Sequence, residues 1–332
     1  MPAPEPPDVL RRALIFGVTG QDGSWLAESL LAKGYEVAGA SRPHASGLPL
    51  GNIPPEAAAQ MLLVAVDVTD AHSVASIIEQ LDPHEIYNLA AMSHVGSSWA
   101  TVDPVFRTNL LGLHNILEAV RLHSPDARVY QASSSEMYGN INPPQDEVTP
   151  MRPVSPYGVS KLAAHHLAGV YRLSHGLFVS CGICHNHESE RRSPMFLSRK
   201  VARGVAAIVH GTADTLTLGN MEARRDFGYA PDYVEAMWLM LQQDMPDDFV
   251  IATGQSHSVA ELVQAAFSSV GLVDWQQYVR ADPALVRPTE IHRLLGSAKK
   301  AERVLGWRPT VGFYDMIGRM VKHEVEALKE QR

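Results

Sequence analysis

Ala13-Leu-Ile-Phe16-Gly17-Val-Thr-Gly20-Gln-Asp-Gly23 is the stretch whose reading decides the fold. An apolar run ending on glycine reads as a central parallel strand, buried on both faces. Gly17, Gly20 and Gly23 then form G-x-x-G-x-x-G at the mouth of a helix. Its apolar residues Trp25-Leu26 and Leu30-Leu31 fall at helical spacing, and Gly34 closes it. Glycines here let the backbone turn tightly and approach a pyrophosphate, while the first helical N–H groups favour negative charge. Three glycines alone are a weak sign, because any tight turn uses them. Their place directly after the first strand makes them a dinucleotide-binding fingerprint.

Further short apolar strands are predicted over 35–40, 61–66, 85–89, 128–131 and 177–183. Helical periodicity falls between them over 73–81, 105–122 and 157–175. This alternation predicts an α/β fold, a Rossmann-type doubly wound parallel sheet. Past residue 185 the pattern changes to polar, Pro- and Arg-bearing segments mixed with helices over 198–209, 231–243, 259–270 and 310–329. Residues 247–253 look like one more sheet strand. The expectation is a dinucleotide-binding domain over 9–185 and a smaller, interleaved C-terminal substrate lobe over 186–330. Residues 225–255 are expected to return to the first domain.

With 332 residues, 45% of them hydrophobic and 19% charged, the chain has ample material for a core. The net charge of −8 counts against a nucleic-acid or anionic-membrane surface, while leaving room for a local basic pocket. No apolar run approaches the roughly 20 residues of a membrane span. Residues 1–8 are rich in proline and lack the basic and apolar regions of a signal peptide, which predicts a loose tail and a cytoplasmic enzyme. Cys181 and Cys184 are too few for a disulfide framework. With His185 they spell C-x-x-C-H, but the surrounding run reads as a buried strand, so neither haem nor a metal is expected.

The second strand ends Gly39-Ala-Ser41-Arg42. An NAD site usually places an acidic residue here for the ribose hydroxyls, whereas arginine suits a 2′-phosphate. NADP is therefore preferred to NAD, with a solvated loop arginine as the alternative reading of Arg42. Asp67-Val68 and Leu89-Ala90-Ala91 follow the third and fourth strands, on the edge where ligands lie in an open parallel sheet. Tyr157-Gly-Val-Ser-Lys161 puts a phenol and an ammonium on one helix face. A phenol with a pKa of about 10 is a poor base at neutral pH. An adjacent ammonium and a positive nicotinamide ring stabilise the phenolate, which can take a proton from a sugar hydroxyl while hydride leaves the same carbon. Such pairs are common in helices. Behind a dinucleotide fingerprint, and with Ser133-Ser-Ser-Glu136 upstream, the catalytic reading prevails.

Together these features resemble the extended short-chain dehydrogenase/reductase superfamily, and more narrowly the GDP-mannose 4,6-dehydratase family. The similarity runs from about residue 13 to 310. Its most specific stretches are Asn186-His-Glu-Ser189 followed by Arg191-Arg192, and LGNM, RDFG and DYVEAMW between Leu218 and Trp238. The resemblance implies that Ser134, Ser135 and Glu136 are the family's catalytic triplet, acting beside Tyr157 and Lys161. Tyr157 would help oxidise C4 of the hexose, and Ser134 would bind the 4-keto oxygen. Glu136 would remove the C5 proton, water would leave from C6, and hydride would return there. The same resemblance implies cofactor contacts from Gly17, Thr19, Gly20, Gln21, Asp22, Gly23, Asp67, Val68, Leu89, Ala90, Ala91, Ser93, His187 and Arg192. GDP-mannose contacts would come from Ser93, Asn186, Lys200, Arg225, Arg287 and Glu290. Lysine and arginine neutralise a diphosphate; Arg191 and Arg224 are the arginines read instead as structural ion pairs.

The chain departs from the family's pattern in places. The segment after Arg42 is Pro43-His-Ala-Ser-Gly47, where typical members carry a second arginine and a longer loop that builds a tetramer. A homo-oligomer is implied, and the shortening favours a dimer over a tetramer while counting somewhat against NADP. Glu190 replaces a usual proline, Pro104 a usual tyrosine, and Ser134 a usual threonine. Three readings compete: a GDP-4-keto-6-deoxymannose reductase, which has no need of Glu136; a GDP-heptose 4,6-dehydratase, which needs room near C6; and a non-catalytic cofactor-sensing protein, which should have lost Tyr157 or Lys161.

Overall fold

The computed structural model describes residues 10–43, 48, 50–285 and 289–330. The 1–8 tail, most of the loop after Pro43 and Arg287 therefore lie outside the described residues. The strands are β1 (Arg12–Phe16), β2 (Glu36–Ser41), β3 (Leu62–Ala65), β4 (Glu85–Asn88), β5 (Arg128–Ser134), β6 (Val179–Cys184), β7 (Asn186–Glu188), β8 (Leu216–Leu218), β9 (Arg224–Tyr229), β10 (Asp248–Ile251), β11 (Ser256–Ser258) and β12 (Val279–Ala281). Seven of them form one sheet in the order β10-β6-β5-β4-β1-β2-β3, every pair parallel. The order reverses at β1, between β2 and β4, which leaves a crevice at the carboxyl ends of these strands.

Successive side chains of a strand point to opposite faces, and both faces here are covered. Ala13 and Ile15 pack with Tyr87 and Tyr130 beneath the helices Gln21–Ala32 and Ala230–Leu241. Leu14 and Phe16 pack with Ile86 and Val129 beneath the helices Ala71–Leu81, Gly112–His123 and Pro156–His175. The same alternation disposes of the C-x-x-C-H signal. Cys181 belongs to one face and Cys184 to the other, both buried and free, so they cannot grip one group. A third apolar cluster is drawn wholly from residues 201–321, including Val205, Leu262, Phe267 and Met320. Nearby, β9 pairs with β7 and β11 in a separate small sheet, while β10 joins the edge of the large one.

The short strands β7, β8, β9, β11 and β12 and the helix Lys299–Leu305 have no counterpart in the sequence pattern, and two differences bear on the site. Strand β5 runs on to Ser134, beyond the last residue of the apolar run, because Ser133 and Ser134 pair in register with Ile183 and Cys184. The helix expected over 105–122 is split by a π-helical turn, Arg107–Leu111, between Val102–Phe106 and Gly112–His123. That turn swings Asn109 inward, where it donates to Ser160 Oγ at 2.9 Å and accepts from Met92 N at 2.9 Å. It thereby ties the loop after β4 to the helix that carries Tyr157. Among the described residues no helix is long and apolar enough to cross a membrane.

Candidate active site

A cavity of about 640 Å³ opens at the carboxyl ends of β1, β4, β5 and β6. Its floor is the glycine loop. Gly17 has φ of +83°, and a Cβ there would lie 2.8 Å from Ala90 N; one on Gly23 would lie 2.4 Å from Gly17 O. No side chain caps the helix Gln21–Ala32 at Gly20, which leaves its first N–H groups for an anion. Asp22, in that first turn, is held by His187 Nε2 at 2.9 Å. Burial opposes its charge, but His187 overcomes this and draws the carboxyl down to about 2. His187 moves upward in turn, the Asp22 charge outweighing its own burial. The pair keeps a bare negative charge away from the helix N-terminus. A bare-backbone cradle with unspent donors, inside a cavity of this size, fits a dinucleotide.

The catalytic candidates line one wall. Ser155 caps the helix Pro156–His175 by accepting from Gly158 N, which fixes Tyr157 in the first turn. Ser134 Oγ accepts from Glu136 N at 3.2 Å at the start of a short turn, Ser135–Met137, so Glu136 folds back to the cavity and is buried. Lys161 Nζ donates to Ala132 O at 2.9 Å and lies 5.9 Å from the Tyr157 ring centre. Burial pushes the Tyr157 phenol up to about 12, against the pull of the Ser134 hydroxyl. Without the nicotinamide charge that the sequence reading invoked beside Lys161, burial sets the phenol's pKa, and the ammonium is directed at the Ala132 carbonyl.

Burial also pulls Lys161 down to about 8, from lysine's ordinary 10.5. Below about pH 8 folded and unfolded chains both carry the proton, and the folded one bears the cost of a buried charge. Between about 8 and 10.5 the unfolded chain keeps a proton that the folded chain has shed, so this group's effect on stability improves with pH. Lys161→Met removes that dependence. The variant's advantage, up to about 3 kcal/mol, is expected to be largest near pH 7 and to close toward pH 10. Thermal unfolding across that range reads it, and parallel curves would contradict it.

Most sequence-predicted residues meet at this cavity: Gly17, Thr19, Gly20, Gln21, Asp22, Gly23, Arg42 and Val68 at its glycine-loop end, Leu89, Ala90, Ala91 and Ser93 after β4, and Ser134, Ser135, Glu136, Tyr157 and Lys161 on the wall just described. Asn186, His187, Arg192, Lys200 and Arg225 line it as well, His187 beside Asp22. Two do not line it. Asp67 turns its carboxylate onto Thr69 N and Oγ1 at 2.9 and 2.8 Å, capping its own loop. Glu290 instead braces Arg225, with Nη2–Oε1 at 3.5 Å. Arg191 is paired with Glu28 and stacked on Trp25, and Arg224 is paired with Glu261. The lining also includes His94, Phe196, Leu197, Leu218, Gly219 and Leu285, which the sequence reading did not single out. Leu218-Gly219 lies inside the specific LGNM stretch, and Leu197 one turn before Lys200, so spacing held the signal for both.

The family model described as GDP-mannose 4,6 dehydratase matches residues 14–320. GDP-mannose 4,6 dehydratase 2 of Arabidopsis thaliana is 46% identical over 330 residues, covering 96% of this chain and 88% of that one. The GDP-mannose 4,6-dehydratase of Vibrio cholerae is 40% identical over 351 residues, covering 95% and 94%. Among solved structures, a dTDP-glucose 4,6-dehydratase from Streptomyces venezuelae with NAD bound superimposes with a TM-score of 0.84 at 28% identity, covering 96% of this chain and 98% of that one. A match spanning almost the whole chain, over a cavity that gathers a glycine cradle, a tyrosine–lysine pair and a buried glutamate, places this chain in the GDP-mannose 4,6 dehydratase family.

Proposed function

We propose that the chain converts GDP-D-mannose to GDP-4-keto-6-deoxy-D-mannose, with NADP as a hydride carrier that is regenerated in each turnover. The observation that carries this reading is Glu136, a second acid–base group buried in the same cavity as Tyr157 and Lys161. A reductase has no use for it, and a sensor has no use for any of the three. When bound, the oxidised nicotinamide would supply a hydride acceptor for C4 and the hydride for C6, and its positive charge would join that of Lys161 in favouring a phenolate. Tyr157 Oη takes the proton of the C4 hydroxyl, and Ser134 donates a hydrogen bond to the oxygen left there. The 4-keto group acidifies C5–H. Glu136 removes that proton and passes it to the departing C6 hydroxyl, which leaves as water and restores the carboxylate. The proton taken from the C4 hydroxyl balances the one delivered to C5 as C6 is reduced. No net proton or hydride is consumed.

Arg42, Ser41 and Thr19 line the cavity at the end of β2, a donor set suited to a 2′-phosphate. Lys200 and Arg225 face the same cavity as the diphosphate ligands, and Leu197, Leu218 and Leu285 offer apolar faces to a purine. Ser93, Asn186 and Arg287 complete the substrate contacts, and His187 and Arg192 the cofactor's. We assign 9–185 mainly to cofactor binding and 186–330 mainly to the sugar nucleotide. The separate apolar cluster within 201–321 supports that division, and β10 on the large sheet supports the return of 225–255. Two buried free thiols suit a reducing cytoplasm.

Purified protein given GDP-mannose alone is expected to yield a product lighter by one water, and its acid-released cofactor is expected to have the mass of NADP. Turnover only of a keto-sugar, and only with added NADPH, would replace this reading with the reductase. Leu111, Leu122, Val159, Val170 and Leu173 are exposed on the segments 107–123 and 156–175. Exposed apolar side chains on two neighbouring helical segments support a dimer paired through them. Native mass spectrometry is expected to show twice the chain mass, and Leu173→Asp to shift it toward the monomer.

A further inference from the structure

We infer that His165 is a positioning residue. Braced by Asp248, its imidazole fixes Ser133 and with it the strand end that seats Lys161 and Tyr157. The inference rests on the dehydratase reading above and adds a residue to its machinery.

Tyr157, Lys161 and His165 follow one another at intervals of four on one face of the helix Pro156–His175. Each meets one of three consecutive residues at the end of β5. Lys161 Nζ donates to Ala132 O at 2.9 Å, His165 Nδ1 lies 3.0 Å from Ser133 Oγ, and the Ser134 hydroxyl bonds the Tyr157 phenol. The contact between His165 and Ser133 has no part in the chemistry described so far. Ser133 and His165 are both buried, and Ser133 also reaches the cavity wall.

The direction of this bond follows from its surroundings. Burial favours a neutral Asp248, but Arg172 and His165 outweigh it and the carboxyl stays below its usual range, hence ionised and able only to accept. Arg172 Nη2 holds Oδ1 at 2.5 Å, and Oδ2 faces His165 Nε2 at 3.6 Å. Burial lowers the His165 pKa despite Asp248, so the ring is neutral near pH 7. The carboxylate beside Nε2 favours the proton on that nitrogen, which leaves Nδ1 to accept from the Ser133 hydroxyl. Arg172 Nε also donates to Val179 O at 2.8 Å, anchoring the brace in β6, while Asp248 belongs to β10. The Cys181 thiol closes the cluster, all three donor atoms lying within 4.8 Å of one another. That is a donor set for a soft cation, but the guanidinium already held by Asp248 repels one.

A misplacement of about 1 Å at reacting groups costs roughly 10²-fold in rate. A third fixed contact keeps helix and strand from sliding past each other and so holds the Lys161 and Tyr157 contacts in place. Asparagine places a polar atom where Nδ1 stands, and glutamine where Nε2 stands, so the two variants separate the Ser133 bond from the Asp248 brace. His165→Gln is expected to lower kcat about tenfold, a part of that positional penalty, with KM for GDP-mannose little changed. His165→Asn is expected to keep most of the turnover. Ser133→Ala is expected to fall like His165→Gln, and it decides the matter should His165→Gln fail to fold by thermal melting. Equal kcat in the two His165 variants at equal folded fraction would overturn the inference, as would a loss confined to KM or full turnover by Ser133→Ala. An inactive wild type would instead defeat the dehydratase reading, so the two failures are distinguishable.

Discussion

Tyr157→Phe is expected to lower kcat for water loss from GDP-mannose by about 10³-fold, in the middle of the range for a positioned proton-transfer group. KM should change little. The substitution removes one oxygen and keeps a ring that is 7% exposed, so the cavity wall retains its shape. The lost oxygen is the one hydroxyl of this wall that can be both acid and base to C4. Ser134 Oγ accepts from the Glu136 backbone and keeps its proton for donation, and Lys161 donates to Ala132. Because burial has pushed the phenol up to about 12, the resting site contains a neutral hydroxyl and phenylalanine leaves no charge unbalanced. Thermal stability should therefore hold while turnover falls. Product mass against time, with melting temperature as the control, reads both. A variant retaining a tenth or more of turnover would remove Tyr157 from the proton transfer at C4.

The parts of this site that were legible in sequence are those whose signals are local. Strand, glycine turn and helix follow one another from Ala13 to Leu31, and Tyr157 and Lys161 are one helical turn apart, so neither needed a distant contact to be read. What the sequence hid depends on partners far along the chain. Lys161 is directed by a carbonyl 29 residues away, and the phenol's pKa is set by burial rather than by its lysine neighbour. Asp67 stands at the expected strand end, yet its carboxylate satisfies the adjacent Thr69. Glu290 braces Arg225 across 65 positions and does not line the cavity itself. Polar residues ended the apolar pattern of β5 early, although Ser133 and Ser134 continue the ladder. The π turn at Arg107–Leu111 left no mark in the periodicity, which registers only the helices on either side.

Glu136→Gln separates dehydration from oxidation. Glutamine matches the shape of the side chain but cannot take a proton from C5, so loss of water is expected to fall by about 10³-fold, again within the acid–base range. Oxidation at C4 needs only Tyr157, Lys161 and Ser134, and should continue. The quenched variant is thus expected to release a hexose two hydrogens lighter than mannose, at most one per chain, where Tyr157→Phe releases none. In deuterated water the same variant should leave C5–H of recovered GDP-mannose unexchanged. Full dehydration by Glu136→Gln would hand the C5 proton to another group on the wall. Tyr157 would then be the first candidate, since it lines the same cavity wall as Glu136. Loss of both the keto-hexose and the dehydrated product would instead mean that Glu136 shapes the site for oxidation, leaving the two steps with one shared determinant. The division of labour between the Glu136 carboxylate and the Tyr157 phenol survives only if the variants stop at different stages.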